Sequence, residues 1–327
     1  MRVDDRTQKN KFAIVQAEDE LAAIGMVIGA NWNGARAFTA TSGPGISLMS
    51  EFLGLAYFAE VPTVLFDIQR GGPSTGMPTR TQQSDILCCA YASHGDTKHI
   101  LLIPSNPTEC FEFSVMAFDL ADRLQTPIII LSDLDSMEKF GRYLDIDGDG
   151  IPYRTYPGTH SEKGAYFTRG SSHDEYAVYT EDGKVNARNL TRILKKHENA
   201  AKLVPKPIIK SVNNSKGVIY FGSSDYSMIE ALDELSSDGI ILDSMRIRAF
   251  PFGKEVHDFI ENHDMIFVVE QNRDAQMKKL ILAEANVAPD KMISVLCFDG
   301  MPITAHFIST EISSYLAEKE VKEIMKK

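Results

Sequence analysis

The sequence predicts an α/β protein built on parallel sheets, and three observations carry that expectation. Short β-branched runs alternate with amphipathic stretches from Phe12 to Asp133, the sequence form of βαβ units. The same alternation resumes after Pro205 and Pro207. At 327 residues the chain exceeds the roughly 250–300 residues at which single cores stop growing, so two α/β domains are expected.

In chain order, strands are expected at residues 12–16, 35–41, 62–68, 99–103 and 127–131. Between them Leu21, Ile24, Val27 and Ile28 fall at helical spacing, as do Leu48, Phe52, Leu55 and Ala59, then Phe111, Val115 and Phe118. Asn106 before Pro107 is a start signal for the last of these helices, with proline at the first helical position. Residues 1–135 are read as the first domain. Residues 136–210 are poor in periodicity until a polar helix around 185–203 and read as a connecting arm. Residues 211–327 form the second domain, with strands at 217–221, 240–243, 265–269 and 293–298.

A formal net charge of −11 argues against nucleic acid and anionic lipid as partners. No apolar run reaches the roughly 18 residues of a membrane span. The first ten residues carry five charges and no apolar run, so a secretory signal is not expected and the cytoplasm is the expected compartment. Cys88 and Cys89 are adjacent while Cys110 and Cys297 stand alone. Without a C-x-x-C pair the chain is expected to hold no metal of its own.

Three segments carry chemistry. Glu18, Asp19 and Glu20 stand where an expected strand gives way to a helix. Asp19 and Glu20 suit the helix start, whereas Glu18 is expected at the carboxyl end of a parallel strand, where open α/β sheets place ligands. Thr41, Ser42 and Gly43, followed by Pro44 and Gly45, make a strand-to-helix loop that permits close backbone approach beside free N–H groups. The run from Gln69 to Thr79 combines Arg70 with three hydroxyls and three glycines in a flexible backbone; a guanidinium there offers two parallel donors to a carboxylate, and hydroxyls complete the shell. His94 reads first as an ordinary polar loop residue, with a functional role as the lesser reading.

Gln-Ala-Glu-Asp-Glu from Gln16, Ala-Thr-Ser-Gly-Pro-Gly from Ala40, Gln-Arg-Gly-Gly-Pro-Ser-Thr-Gly-Met-Pro-Thr from Gln69, Ser132-Asp133, the run from Asp145 to Gly158 and Val-Val-Glu-Gln-Asn from Val268 together resemble the alpha subunit of 2-oxoacid:ferredoxin oxidoreductases, especially the 2-oxoglutarate type. The resemblance covers nearly the whole chain. It implies a pyrimidine-type thiamine-diphosphate-binding domain followed by a transketolase-C-terminal-like α/β domain. The family's alpha subunits start their pyrimidine domain about forty residues earlier, so the resemblance implies an N-terminally incomplete first domain.

The function so implied is the thiamine pyrophosphate-dependent oxidative decarboxylation of a 2-oxoacid, 2-oxoglutarate being favoured, to an acyl-coenzyme A with electrons passing to ferredoxin. A beta subunit would bring the pyrophosphate-binding domain, most of the magnesium site and an iron–sulfur cluster. Glu18 matches the glutamate that hydrogen-bonds the aminopyrimidine ring, where a carboxylate favours the imino tautomer. Thr41, Ser42 and Gly43 would line the cofactor, and Arg70 and Thr79 match contacts to the substrate carboxylate. Gly148-Asp149-Gly150 imitates a magnesium–pyrophosphate signature, but no asparagine follows at the required distance. Asp145, Asp147 and Asp149 imitate the opening of a calcium loop, yet Tyr156 stands where a bidentate glutamate belongs. The rival from another class is a fragment that keeps the fold and binds its partner without turning over substrate.

Overall fold

The computed structural model describes residues 12–133, 168–174, 176–285 and 287–325. The first unit runs α1 (Glu20–Trp32), β1 (Phe38–Thr41), α2 (Gly43–Phe58), β2 (Thr63–Gln69), α3 (Ile86–Ala90), β3 (Ile100–Leu102), α4 (Pro107–Leu124) and β4 (Pro127–Asp133). After α5 (Gly183–Ala200) come β5 (Ile208–Lys210), β6 (Lys216–Phe221), α6 (Ser224–Ser237), β7 (Asp243–Ile247), β8 (Ala249–Phe250), α7 (Lys254–Asn262), β9 (Met265–Glu270), α8 (Gln276–Glu284), β10 (Met292–Leu296) and α9 (Ala305–Ile324).

Among the described residues two five-stranded sheets form, ordered β1-β2-β4-β3-β8 and β10-β9-β6-β7-β5. Each is parallel except for one antiparallel edge strand, β8 on β3 and β5 on β7. The second sheet therefore begins at Ile208, within the stretch read as an arm, and β8 crosses back to finish the first sheet. Alternate strand residues feed different cores. Ile128 and Ile130 pack with Phe113, Ala117 and Leu120 of α4, while Ile129 and Leu131 join a continuous core with Ile219, Phe221, Ile266 and Val268 of the second sheet. That shared core, completed by α2, α7 and α8, is what fixes the two units against each other.

Local chemistry accounts for the boundaries. Asn106 caps α4 by accepting from the Glu109 N–H at 2.9 Å, with Pro107 at the first helical position. Asp19 caps α1, accepting from the Ala22 N–H at 2.7 Å.

Three expectations need correction. Residues 12–17 form no strand: the run has suitable side chains, but a strand exists only where a neighbour pairs with it, and Ile14 stands 90% exposed. Glu18 consequently lies in a bend before the Asp19 cap and not at a strand end. The strand expected at 240–243 lies three residues later, because Arg246 in its middle disguised a buried strand. The buried face of α2 is Ile46, Met49, Leu53 and Ala56, rotated from the expected Leu48 side, since a helix apolar nearly all round gives no unique stripe.

Candidate functional site

The carboxyl ends of β2 and β4 are level, with Gln69 beside Asp133, and β1 ends two residues short of them, with Thr41 beside Asp67. At this edge a cleft of about 820 Å³ opens between the two units, with Gly43, Pro44, Arg70, Asp85, Asn272 and Arg273 in its wall. Its position at the ends of parallel strands is where α/β folds bind ligands.

The backbone at one wall is fitted to glycine. A Cβ on Gly43 would lie 2.6 Å from Asp85 Oδ1, and one on Gly45 would lie 1.8 Å from Thr41 Oγ1. Ser42 is the N-cap residue of α2, yet its hydroxyl makes no capping bond, so that hydroxyl is free for another partner.

Arg70 follows the last residue of β2. Its Nε is buried and has no hydrogen-bond partner among the described residues. Leaving such a donor unsatisfied costs on the order of 1–3 kcal/mol, and an anion delivered to the cleft would recover that cost. Behind it sit two acids. Asp67 is fully buried in β2, and burial, then the charge of Asp85, push its carboxyl well above the usual range. Burial likewise pushes Asp85 up to about 6, against the opposing pull of the Arg70 guanidinium and the Gly43 N–H.

The far wall is stitched to the first unit by amides. Gln83 N–H donates to Gln271 O at 2.8 Å, and Asn272 Nδ2 donates to Gln83 O at 3.0 Å and to Glu270 Oε2 at 2.8 Å. Glu270 in turn caps α8, accepting from the Met277 and Lys278 N–H groups at 2.7 and 3.0 Å. Asp133 Oδ2 accepts from Ser223 Oγ at 2.7 Å and Gln83 Nε2 at 3.2 Å.

Of the residues singled out in the sequence, Gly43 and Arg70 share the cleft wall. Thr41 ends β1 and Ser42 begins the turn beside them. Glu18 and Thr79 are exposed and do not line the cleft. His94 is exposed opposite Glu51, 3.3 Å away. The aspartate-rich run from 145 to 156 lies outside the described residues. Sequence reading missed Asp67, Asp85, Gln83 and the inward role of Asn272. The signal for Asp67 was present, as a carboxylate inside a β-branched run is costly to bury without a purpose.

A family model for pyruvate flavodoxin/ferredoxin oxidoreductase, thiamine diphosphate-binding, matches residues 3–147. The 2-oxoacid:ferredoxin oxidoreductase 2 subunit alpha of Aeropyrum pernix is 33% identical over 347 residues, covering 97% of this chain and 54% of that protein. The 2-oxoglutarate synthase subunit KorA of Methanothermobacter marburgensis is 35% identical over 292 residues, covering 79% of this chain and 75% of its own length. Among solved structures, the 2-oxoglutarate:ferredoxin oxidoreductase of Magnetococcus marinus, with 2-oxoglutarate, coenzyme A and succinyl-CoA bound, superposes with a TM-score of 0.81 at 29% identity, over 92% of this chain and 56% of that one. A split-gene transketolase described as an inactive beta4 tetramer matches at a TM-score of 0.54 and 11% identity, over 96% of this chain and 85% of that one, a likeness of fold alone. The chain spans about half the length of the archaeal 2-oxoacid:ferredoxin oxidoreductase alpha subunits it matches.

Proposed function

Because the chain belongs to the family of 2-oxoacid:ferredoxin oxidoreductase alpha subunits, we propose that it supplies the aminopyrimidine side of a thiamine pyrophosphate site and the grip on the substrate carboxylate. In this reading residues 1–135 are the pyrimidine-binding domain, 136–210 an arm and 211–327 a transketolase-C-terminal-like domain. The observation that carries it is Arg70, whose buried Nε lacks a partner at the wall of a cleft large enough for a small dicarboxylate.

The residues present fit the cofactor. Glu18 offers an exposed carboxylate and Ser42 a hydroxyl without a capping bond, while Gly43 and Gly45 let the Asp85 and Thr41 side chains lie against the turn. Thiamine pyrophosphate, when bound, supplies the carbon nucleophile that a 2-oxoacid decarboxylation requires. Glu18 would accept a hydrogen bond from the ring nitrogen and so hold the tautomer whose exocyclic nitrogen can act as a base. Thr41, Ser42 and Gly43 would border the ring, while Arg70, with Thr79 from the exposed limb of its loop, would hold the substrate carboxylate.

The overall reaction proposed is oxidative decarboxylation of a 2-oxoacid to an acyl-coenzyme A, with electrons delivered to ferredoxin. It runs in a hetero-oligomer whose beta subunit brings the pyrophosphate domain, the magnesium ion and an iron–sulfur cluster. 2-Oxoglutarate is the proposed substrate, supported by the names of the KorA relatives and by the ligand of the Magnetococcus structure. The test is 2-oxoglutarate-dependent dye reduction by the assembled complex. Arg70→Lys should raise KM far more than it changes the cofactor requirement, because an ammonium cannot copy two parallel donors; losing such a contact is worth on the order of 2–5 kcal/mol. Unchanged KM and kcat would remove Arg70 from the site.

A further inference from the structure

The loop that follows Arg70 is closed upon itself. The Gly71 N–H donates to Arg80 O at 3.0 Å, and the Met77 N–H donates back to Gly71 O at 2.7 Å, pairing Gly71 with Met77 as an isolated antiparallel bridge. The Arg80 N–H donates to Met77 O at 3.1 Å. Residues 72–80 are nonetheless exposed, while Gly71, next to Arg70, is buried. Internal bonds of this kind hold the shape of a loop, but its orientation over the cleft is set by what its side chains touch outside it.

Those outside contacts fall on the second unit, at the turn after β10. A Cβ on Gly300 would lie 2.5 Å from Met77 Cε and 3.2 Å from both Met77 Sδ and Arg80 Cβ, so the two side chains lie directly on the Gly300 backbone. Gly300 is buried at a φ of +82°, a conformation that favours glycine. Its turn is pinned by Asp299 Oδ1, which accepts from the Met301 N–H at 2.9 Å. Met77 also faces the base of its own loop, where a Cβ on Gly71 would meet Met77 Cβ at 3.0 Å and Cε at 3.2 Å. One methyl group therefore lies against both glycines. Arg80 adds a weaker tie, since its Nη1 donates to the Met301 thioether at 3.2 Å and a thioether is a poor acceptor.

We propose that Met77 is a positioning residue: wedged between Gly71 and Gly300, it orients the turn that carries Arg70, so that the second unit sets how tightly a carboxylate is held in the cleft. Arg70 Nε has no hydrogen-bond partner among the described residues, so the placement of that donor depends on the backbone beneath it. Methionine suits the task, because an unbranched thioether fills an irregular gap between two backbones. Truncating it leaves both glycines without their neighbour and frees the turn to shift. This inference rests on the reading of the cleft as a carboxylate site.

The test is calorimetric titration of the assembled complex with glutarate, a dicarboxylate without the 2-oxo group that cannot turn over, alongside KM and kcat for 2-oxoglutarate. Met77→Ala should weaken glutarate about tenfold and raise KM by a similar factor, within the range by which residues off the ligand modulate binding, while kcat stays within about twofold. Met77→Leu, which keeps the volume, should restore both to within about threefold of wild type. Because Met77 acts through Arg70, Met77→Ala added to Arg70→Lys should change KM by less than about threefold further. Gly300→Ala drives a Cβ into Met77 Cε and should weaken glutarate as Met77→Ala does, which keeps the question decidable where one of the two does not fold. Glutarate affinity that depends on Arg70, as judged by Arg70→Lys, but is unchanged by Met77→Ala or Gly300→Ala overturns this inference alone. So does a KM increase that adds in full to that of Arg70→Lys, or a Met77→Leu as weak as Met77→Ala. Failure of wild type to bind glutarate, or binding indifferent to Arg70→Lys, overturns the carboxylate reading and this inference with it.

Discussion

Replacing Arg246 with methionine tests how the two units are locked together. Arg246 is 4% exposed in β7 and reaches across to α4, donating from Nη1 and Nη2 to the two Glu109 oxygens at 2.7 and 2.8 Å. Its Nε lies 3.3 Å from Asp225. Removing one partner of a buried pair costs about 3–5 kcal/mol. Glu109 would keep Arg248 at 2.9 Å and the Ser105 N–H and hydroxyl at 3.0 and 3.1 Å, which puts the expected loss near the lower limit, about 3 kcal/mol.

A second route gives a similar figure. Burial alone would raise the Glu109 carboxyl, but its bonds to Arg246 outweigh that and hold it at about 2 instead of 4.5. At 1.36 kcal/mol per tenfold change this is on the order of 3 kcal/mol of stability. Because the folded value is depressed, the contribution is complete above pH 4.5 and is lost as pH falls towards 2. Urea unfolding of Arg246→Met, Glu109→Gln and the double variant at pH 7 would measure the pair, with a coupling of about 2 kcal/mol expected. Single losses that add to within about 0.5 kcal/mol would refute the clamp.

Other outcomes follow from the same packing. Gly45→Ala should cost about 1–3 kcal/mol in urea unfolding, as overpacking does, and adding Thr41→Ala should recover part of it because Thr41 Oγ1 is the atom struck; a neutral Gly45→Ala would mean that the turn is open. Burial holds His99 and His197 each down to about 4. They stay neutral in the fold while the unfolded chain charges, so stability should fall as pH drops from 6.5 towards 4, by roughly 3 kcal/mol per histidine at the lower limit. Asp85, raised to about 6, acts in the opposite sense and loses its stabilising effect as pH rises from 3.8 to 6. Comparing His197→Asn with wild type across that range isolates the histidine, and parallel pH profiles would count against it.

What the sequence disclosed depended on whether a residue's purpose was local. The Asn106-Pro107 start of α4 needs only its own turn, and it was legible. The loop after β2 announced Arg70 because a guanidinium among glycines and hydroxyls has no packing role. Nothing in the sequence around Arg246 signals its pairing, since its partner Glu109 is 137 residues away in the chain. Strand β8, two residues long, exists because Phe250 and Ala249 lie beside Leu101 and Leu102, a pairing that no short window contains. The run from Phe12 had the composition of a strand but no pairing neighbour among the described residues, and Glu18 occupies a bend. Asp67 and Asp85 are 18 residues apart in sequence, and only the return of the chain from the loop to α3 makes them a pair.

The most direct measurement of the central claim is exchange of the thiamine C2 proton, followed by NMR after acid quench, in the complex assembled with Glu18→Gln. The substitution keeps the shape of the side chain and removes its acid. Cofactor should still bind while exchange slows by about 10²–10⁴-fold or more, the usual worth of general acid–base assistance. Asp19→Asn and Glu20→Gln should leave exchange nearly intact, because Asp19 caps α1 and Glu20 lies in its first turn. Unchanged exchange in Glu18→Gln, or an equal loss in either neighbour, would contradict the assignment of the aminopyrimidine contact to this chain's Glu18.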